Sequence, residues 1–437
     1  MVGERVALSA YTTLGLGGPA GRFVAAGDQE QIISAVRQAD RAGEPVLILG
    51  GGSNLVVADE GFGGTVIQVA SRGIVVDDAR PGTDGTDGTD GTDGESVLVT
   101  VAAGEPWDRL VEWSVAEGLA GLECLSGIPG LAGATPIQNV GAYGQDVSET
   151  ITEVRAFDRE RGEVIRLSRA DCEFGYRTSM LKRAAAGLAT GRFVVLSVTF
   201  RLWRAQAELS GAGEGAATGA TSSGAPIARA ASAGAPSAGA ASARAPKARA
   251  ASARASGRGR GLSRPVKYAE LARTLGVEVG GRVPLEEARS AVLALRRRKG
   301  MVLDAGDPDT RSAGSFFTNP IVSAAQFEEL GRRAAERLGP QTTVPHYPAD
   351  EAPPDGGPAE GAVKVPAAWL IERAGFAKGY PAHGRARIST KHTLALTNPG
   401  EATTADLLEL AREIRAGVRA MFGINLANEP VLVGLTL

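Results

Sequence analysis

Residues 47–57, LILGGGSNLVV, run an apolar strand into Gly50, Gly51 and Gly52, then Ser53 and Asn54, and out into a second apolar run. Consecutive glycines carry no Cβ, so their backbone N–H groups can close on an anion, and the stretch reads as a diphosphate cradle. An ordinary glycine turn between two strands is the alternative. A richer passage follows at residues 125–145: Gly127, Ile128, Pro129 and Gly130, then Gly133, Ala134, Thr135 and Pro136, then Gln138, Asn139, Gly141, Ala142 and Tyr143. Small residues every few positions, with two amides among them, describe backbone held close to a flat or phosphorylated ligand. A purely structural loop is possible, but loops of this length inside a compact domain usually carry function.

Other chemistry is scarce. His346, His383 and His392 do not form a spaced set with carboxylates, and Cys124 and Cys172 lie far apart, so no metal site and no disulfide is expected. The formal net charge of −2 offers no global attraction for nucleic acid or an anionic membrane. No apolar run is long enough to span a bilayer and no leader is visible at the N-terminus, so a cytoplasmic protein is expected. The 437 residues suffice for two or three domains.

The elements around these passages mix helix and strand, giving an α+β class. Ile32, Ile33, Val36 and Ala39 recur at helical spacing before the first cradle, and helices are expected over 107–118, 285–299, 324–338, 365–374 and 404–422. Strands are expected over 64–76, 96–103, 151–158, 164–167, 192–202, 386–397 and 431–437. The glycines of residues 15–21 do not make a Rossmann fingerprint, because no apolar strand precedes them and Pro19 removes a donor. The Thr-Asp-Gly repeat at 83–94 should form an exposed flexible tip, and 204–261, nearly all Ala, Ser, Gly, Arg and Pro, a disordered insertion.

In order, LILGGGSNLVV, LSGIPGLAGATPIQNVGAYGQ, EFGYRTS (173–179), AGSFFTNP (313–320) and a Glu just before the last strand resemble the UDP-N-acetylenolpyruvoylglucosamine reductase family. The resemblance covers nearly the whole chain outside the repeat, the insertion and the proline-rich loop. It implies a two-lobed FAD-binding domain of the vanillyl-alcohol oxidase type, with lobes at 1–70 and 71–203, and an α+β substrate-binding domain at 262–437 whose terminal strand returns toward the active site. The activity implied is NADPH-dependent reduction of the enolpyruvyl group of UDP-N-acetylenolpyruvoylglucosamine during peptidoglycan biosynthesis, by a monomer. An FAD-linked oxidase of another small molecule is the alternative, since it would need only the first two motifs.

Carried over by motif, the resemblance puts FAD against residues 50–54, 127–130, 133–136, Gln138, Asn139 and 141–143. Arg177 would be the cation that stabilises charge on the substrate carboxylate, Ser315 the proton donor, and Glu429 the third catalytic group. Tyr176, Tyr268, Lys299 and Asn319 would bind substrate, with Tyr268 marking the subgroup whose tyrosine-bearing loop closes over the nucleotide.

Overall fold

The computed structural model describes residues 2–78, 95–185, 190–205, 261–349, 352–353 and 359–437. The repeat at 83–94 and all of the insertion expected to be disordered over 204–261 except residues 204, 205 and 261 lie outside them; Arg204 ends a strand instead.

The first lobe is a four-stranded sheet in the order Val2–Glu4, Ala20–Ala26, Phe62–Val69, Val46–Leu49, parallel except at its first pair. Helix Gln29–Arg41 covers it. The Asp28 carboxylate accepts from the Gln31 amide at 2.8 Å to start that helix, and Ile32, Val36 and Ala39 on one face are buried. Ile32 and Val36 each contribute about 1.5–3 kcal/mol of apolar burial.

The second lobe is antiparallel, in the order Glu163–Ser168, Ile151–Asp158, Phe193–Arg204, Ser96–Ala102, Ile74–Asp78, with Leu119–Ala120 added beside Phe193–Arg204. Val97, Val99 and Val101 alternate inward, where helix Trp107–Ala116 buries Trp107, Leu110 and Val111. A single core runs through both lobes, joining Val46 and Ile67 to Val101 and Phe157.

Residues 261–300, grouped with the C-terminal domain on sequence, pack on the second lobe. Helices Ala269–Leu275 and Leu285–Arg298 bury Val266, Leu271, Val292 and Leu295 against Cys124, and Leu285 against Val115 and Ala120. The buried Glu123 carboxylate accepts from the Arg264 amide at 2.6 Å, and the Arg264 guanidinium lies 4.2 Å from the Trp203 ring centre. Ala205 and Gly261 lie side by side, so the chain leaves and re-enters the lobe at one point.

The C-terminal domain packs helices Ala324–Leu338, Ala367–Arg373 and Thr404–Phe422 around Phe316, Phe317, Leu370, Leu407 and Ile414. The expected strand over 386–397 is two short strands, Arg387–Ile388 and Ala395–Thr397, because Ser389 accepts from the amides of Lys391 and His392 and turns the chain between them. The last strand stops at Val433 rather than 437, where Gly434 takes φ +71°. That strand, Val431–Val433, pairs in parallel with Leu55–Val57 of the first lobe.

Candidate active site

The two glycine passages meet. A Cβ on Gly51 would stand 2.7 Å from Gly130 Cα, and Ser53 Oγ donates to the Pro129 carbonyl at 3.0 Å. Gly52 has φ +61° and a Cβ there would overlap the Tyr11 carbonyl, so only glycine makes this turn. None of the backbone N–H groups of Gly51, Gly52, Ser53 and Asn54 donates to an acceptor among the described residues. Four adjacent, unused donors on Cβ-poor backbone fit a diphosphate, so the chain can hold FAD here. Gly133 has a different reason: its amide donates to the Ala103 carbonyl at 2.9 Å, and a Cβ would collide with Ala103. It brings residues 132–138 down onto the second sheet, where Thr135 and Pro136 open the short helix Thr135–Gln138.

Arg177 is at the tip of a tight turn in which Gly175 and Thr178 exchange backbone hydrogen bonds of 3.0 and 3.2 Å. Its φ of +54° is unusual for a residue with a Cβ. The guanidinium donates to the carbonyls of Gly141 (2.5 Å) and Asn139 (3.3 Å), and its Nε lies 3.3 Å from Glu429 Oε1. Gln138 Nε2 donates to the same carboxylate oxygen at 3.3 Å. Glu429 is held from the other side, since its amide donates to the Phe316 carbonyl at 2.8 Å and Asn428 bridges Phe317. Ser315 thus lies one residue from the main-chain partner of Glu429, in strand Ser312–Ser315, and its hydroxyl makes no hydrogen bond among the described residues. Arg177 and Glu429, 252 residues apart along the chain, thus form an ion pair, and Ser315 adjoins the residue whose carbonyl holds the Glu429 main chain.

Tyr176 and Asn319 join this group. The Tyr176 phenol accepts from the Asn319 backbone and side-chain amides, although burial is what chiefly raises its pKa. Asn319 Oδ1 also accepts from the Ala367 amide at 2.9 Å, which fixes the start of helix Ala367–Arg373. Lys364 Nζ lies 4.4 Å from the Tyr176 ring centre. Asn139 is spent internally: its Nδ2 donates to the Gly175 carbonyl and its Oδ1 accepts from the Ser148 amide, so its side chain serves the loop.

The other substrate candidates form a second cluster. Tyr143 and Tyr268 pack edge to face at 5.6 Å, and Lys299 Nζ sits 5.7 Å from the Tyr143 ring centre while pairing with Glu270 at 3.0 Å. Arg296, buried one helical turn earlier, donates through Nη2 to the Met301 carbonyl at 2.8 Å, leaves Nε without a partner among the described residues, and faces Gly127. A buried guanidinium with a free N–H beside Gly127 is a candidate to meet an anion, although the Gly127 amide itself is taken by Asp108 at 2.6 Å. Sequence reasoning missed it, because in Arg296, Arg297, Arg298 and Lys299 only the buried helical phase of 292, 295 and 296 distinguishes it from a solvated helix end. Asp146 (3.7 Å from Arg177), Lys182 and Lys364 were also missed, having no motif of their own.

The family model for the UDP-N-acetylenolpyruvoylglucosamine reductase C-terminal domain matches residues 307–433, and that for an FAD binding domain matches 20–168. The UDP-N-acetylenolpyruvoylglucosamine reductase of Thermobifida fusca is 50% identical over 437 residues, covering 99% of this chain and 98% of that one. That of Saccharopolyspora erythraea is 49% identical over 432 residues, 99% and 95% of the two chains. The crystal structure of the Thermus caldophilus enzyme shares the fold with a TM-score of 0.51 at 22% identity, covering 99% of both chains. The alternative of an oxidase of another small molecule is not favoured by these relatives, and the chain belongs to the UDP-N-acetylenolpyruvoylglucosamine reductase family of FAD-dependent oxidoreductases.

Proposed function

We propose that this chain reduces the enolpyruvyl group of UDP-N-acetylenolpyruvoylglucosamine at the junction of Arg177, Glu429 and Ser315. The 3.3 Å pair between Arg177 and Glu429, beside the strand that carries Ser315, is the observation that supports the reading most directly. Bound FAD, once reduced by NADPH, supplies the hydride. Charge then builds on the substrate carboxylate, where the permanently charged Arg177 stabilises it in the transition state more than in the ground state. Ser315, whose hydroxyl has no partner among the described residues, is free to deliver a proton to the neighbouring carbon, and Glu429 orients Arg177 and the donor. Tyr268, Lys299 and Arg296 would meet the nucleotide diphosphate, and Tyr176 and Asn319 the sugar end. The packing of 261–300 on Cys124, Val115 and Ala120 supports a division into two FAD lobes, the second including this helical pair, and a substrate domain after it. No helix among the described residues is long and apolar enough to cross a membrane.

An anaerobic two-step experiment tests this. NADPH should bleach the flavin in the parent and in Ser315→Ala alike. Return of the flavin bands on adding UDP-N-acetylenolpyruvoylglucosamine should be slowed about 100-fold or more in the variant. Return at the parent rate would remove Ser315 from the proton step.

A further inference from the structure

One charged group beside the site has no part in the mechanism above. Lys182 belongs to the short helix Met180–Arg183, which Ser179 caps while its Oγ also donates to the Ile137 carbonyl at 2.8 Å. The Lys182 ammonium is directed back into the site and donates to the Arg177 carbonyl at 3.0 Å. It forms no ion pair within 4.0 Å among the described residues. The charged groups that face it are Glu429, which favours its charge, and Arg177, which opposes it, while burial opposes it most.

That placement is costly. A desolvated ammonium beside a guanidinium is worse for stability than a neutral side chain of the same length. Two features of the site answer to it. The Arg177 main chain is left-handed at φ +54°, and the carbonyl that Lys182 grips is the one that this conformation turns toward residue 182. Glu429 is approached by Arg177 Nε and Gln138 Nε2, so the backbone that Lys182 grips carries the side chain that holds this carboxylate. A charged donor holds that carbonyl more firmly than a neutral amide or a water would.

We propose that Lys182 is a positioning residue for the substrate-reducing half of the reaction, holding the Arg177 main chain in its left-handed conformation so that its guanidinium stays on Glu429. The proposal rests on the reading of Arg177 and Glu429 as the reacting site.

The two half-reactions of the intact flavoprotein separate the possibilities, with Lys182→Met, Lys182→Arg and Arg177→Gln measured alongside the parent. Lys182→Met and Lys182→Arg should retain the parent's flavin content and rate of flavin reduction by NADPH. Flavin reoxidation by UDP-N-acetylenolpyruvoylglucosamine should be about 10- to 100-fold slower in Lys182→Met, the rate equivalent of one charge-assisted hydrogen bond, and largely restored in Lys182→Arg. An unchanged rate in Lys182→Met, with Arg177→Gln slow, would overturn the role of Lys182 alone. Equal losses of flavin content, reduction and reoxidation in both Lys182 variants would make it a structural residue and overturn the proposal too. An unchanged rate in Arg177→Gln would overturn the site itself.

Discussion

The Val431 amide donates a 2.9 Å hydrogen bond to the Asn54 carbonyl. Two residues upstream of Val431 is Glu429; Asn54 closes the glycine cradle. The segment carrying the carboxylate therefore hangs on the backbone proposed to hold the diphosphate. Thr13 makes a parallel link, its amide donating to the Gly52 carbonyl at 3.1 Å and its Oγ1 to the Ser312 carbonyl at 2.6 Å. Cofactor cradle, serine strand and glutamate are thus set by one continuous hydrogen-bonded frame, and predictions about any one of them involve the others.

Gly51→Ala should lose flavin without losing the fold. Its Cβ would press at 2.7 Å on Gly130 Cα, so two backbones must move apart and the donors of residues 51–54 with them. The flavin-to-protein ratio after purification should fall sharply and FAD affinity by about 10-fold or more, with the far-ultraviolet circular dichroism unchanged.

Asp59 joins the first lobe to the C-terminal domain. Its two carboxylate oxygens accept from the Thr404 and Ala405 amides at 2.8 and 3.0 Å, satisfying the start of helix Thr404–Phe422 from outside that helix. Asp59→Ala should cost about 1–2 kcal/mol in urea unfolding of the flavin-bound enzyme, and Asp59→Asn less, since one oxygen remains to accept.

Residues 206–260 should be dispensable for turnover. Ala205 and Gly261 are neighbours, Ala205 is anchored by its amide to the Gly118 carbonyl at 2.8 Å, and the Gly261 carbonyl accepts from the Leu285 amide at 2.9 Å. Replacing the segment with a few glycines and serines keeps both anchors, and closing a shorter loop costs less entropy. The shortened enzyme should keep the parent's kcat, KM and unfolding midpoint.

His392 should make stability fall in mild acid. Burial is the chief cause that lowers its pKa from 6.5 to about 4, with Lys299, Lys378 and Arg296 adding to it and Glu372 opposing. Between pH 6.5 and 4 the unfolded chain takes up a proton that the folded chain refuses, so this contribution is complete above 6.5 and lost as pH falls toward 4. The loss is on the order of 3 kcal/mol over that window. Urea unfolding at pH 7, 6, 5 and 4.5 should show this slope in the parent and a shallower one in His392→Gln.

Periodic and motif-borne features were legible along the chain. Helices 324–338 and 404–422 were legible at these bounds, and the structure shows reciprocal caps before each, Ser323 with Gln326 and Thr403 with Asp406. The glycine cradle was legible because three consecutive glycines between two apolar runs form a local pattern, although the approaches that require Gly51 and Gly52, to Gly130 and to Tyr11, come from remote segments. Local backbone geometry and helical or strand periodicity depend on residues within a few positions of each other, so they can be written in a short stretch. Where residues 261–300 pack could not be read this way, since their apolar faces would fit either neighbour and only contact with Cys124, Val115 and Ala120 selects the second lobe. The same holds for Arg296 and Lys182, whose types are ordinary at a helix end or on a surface. Desolvation and the approach of charges from remote segments give them their chemistry, and those arise only when the chain has closed on itself.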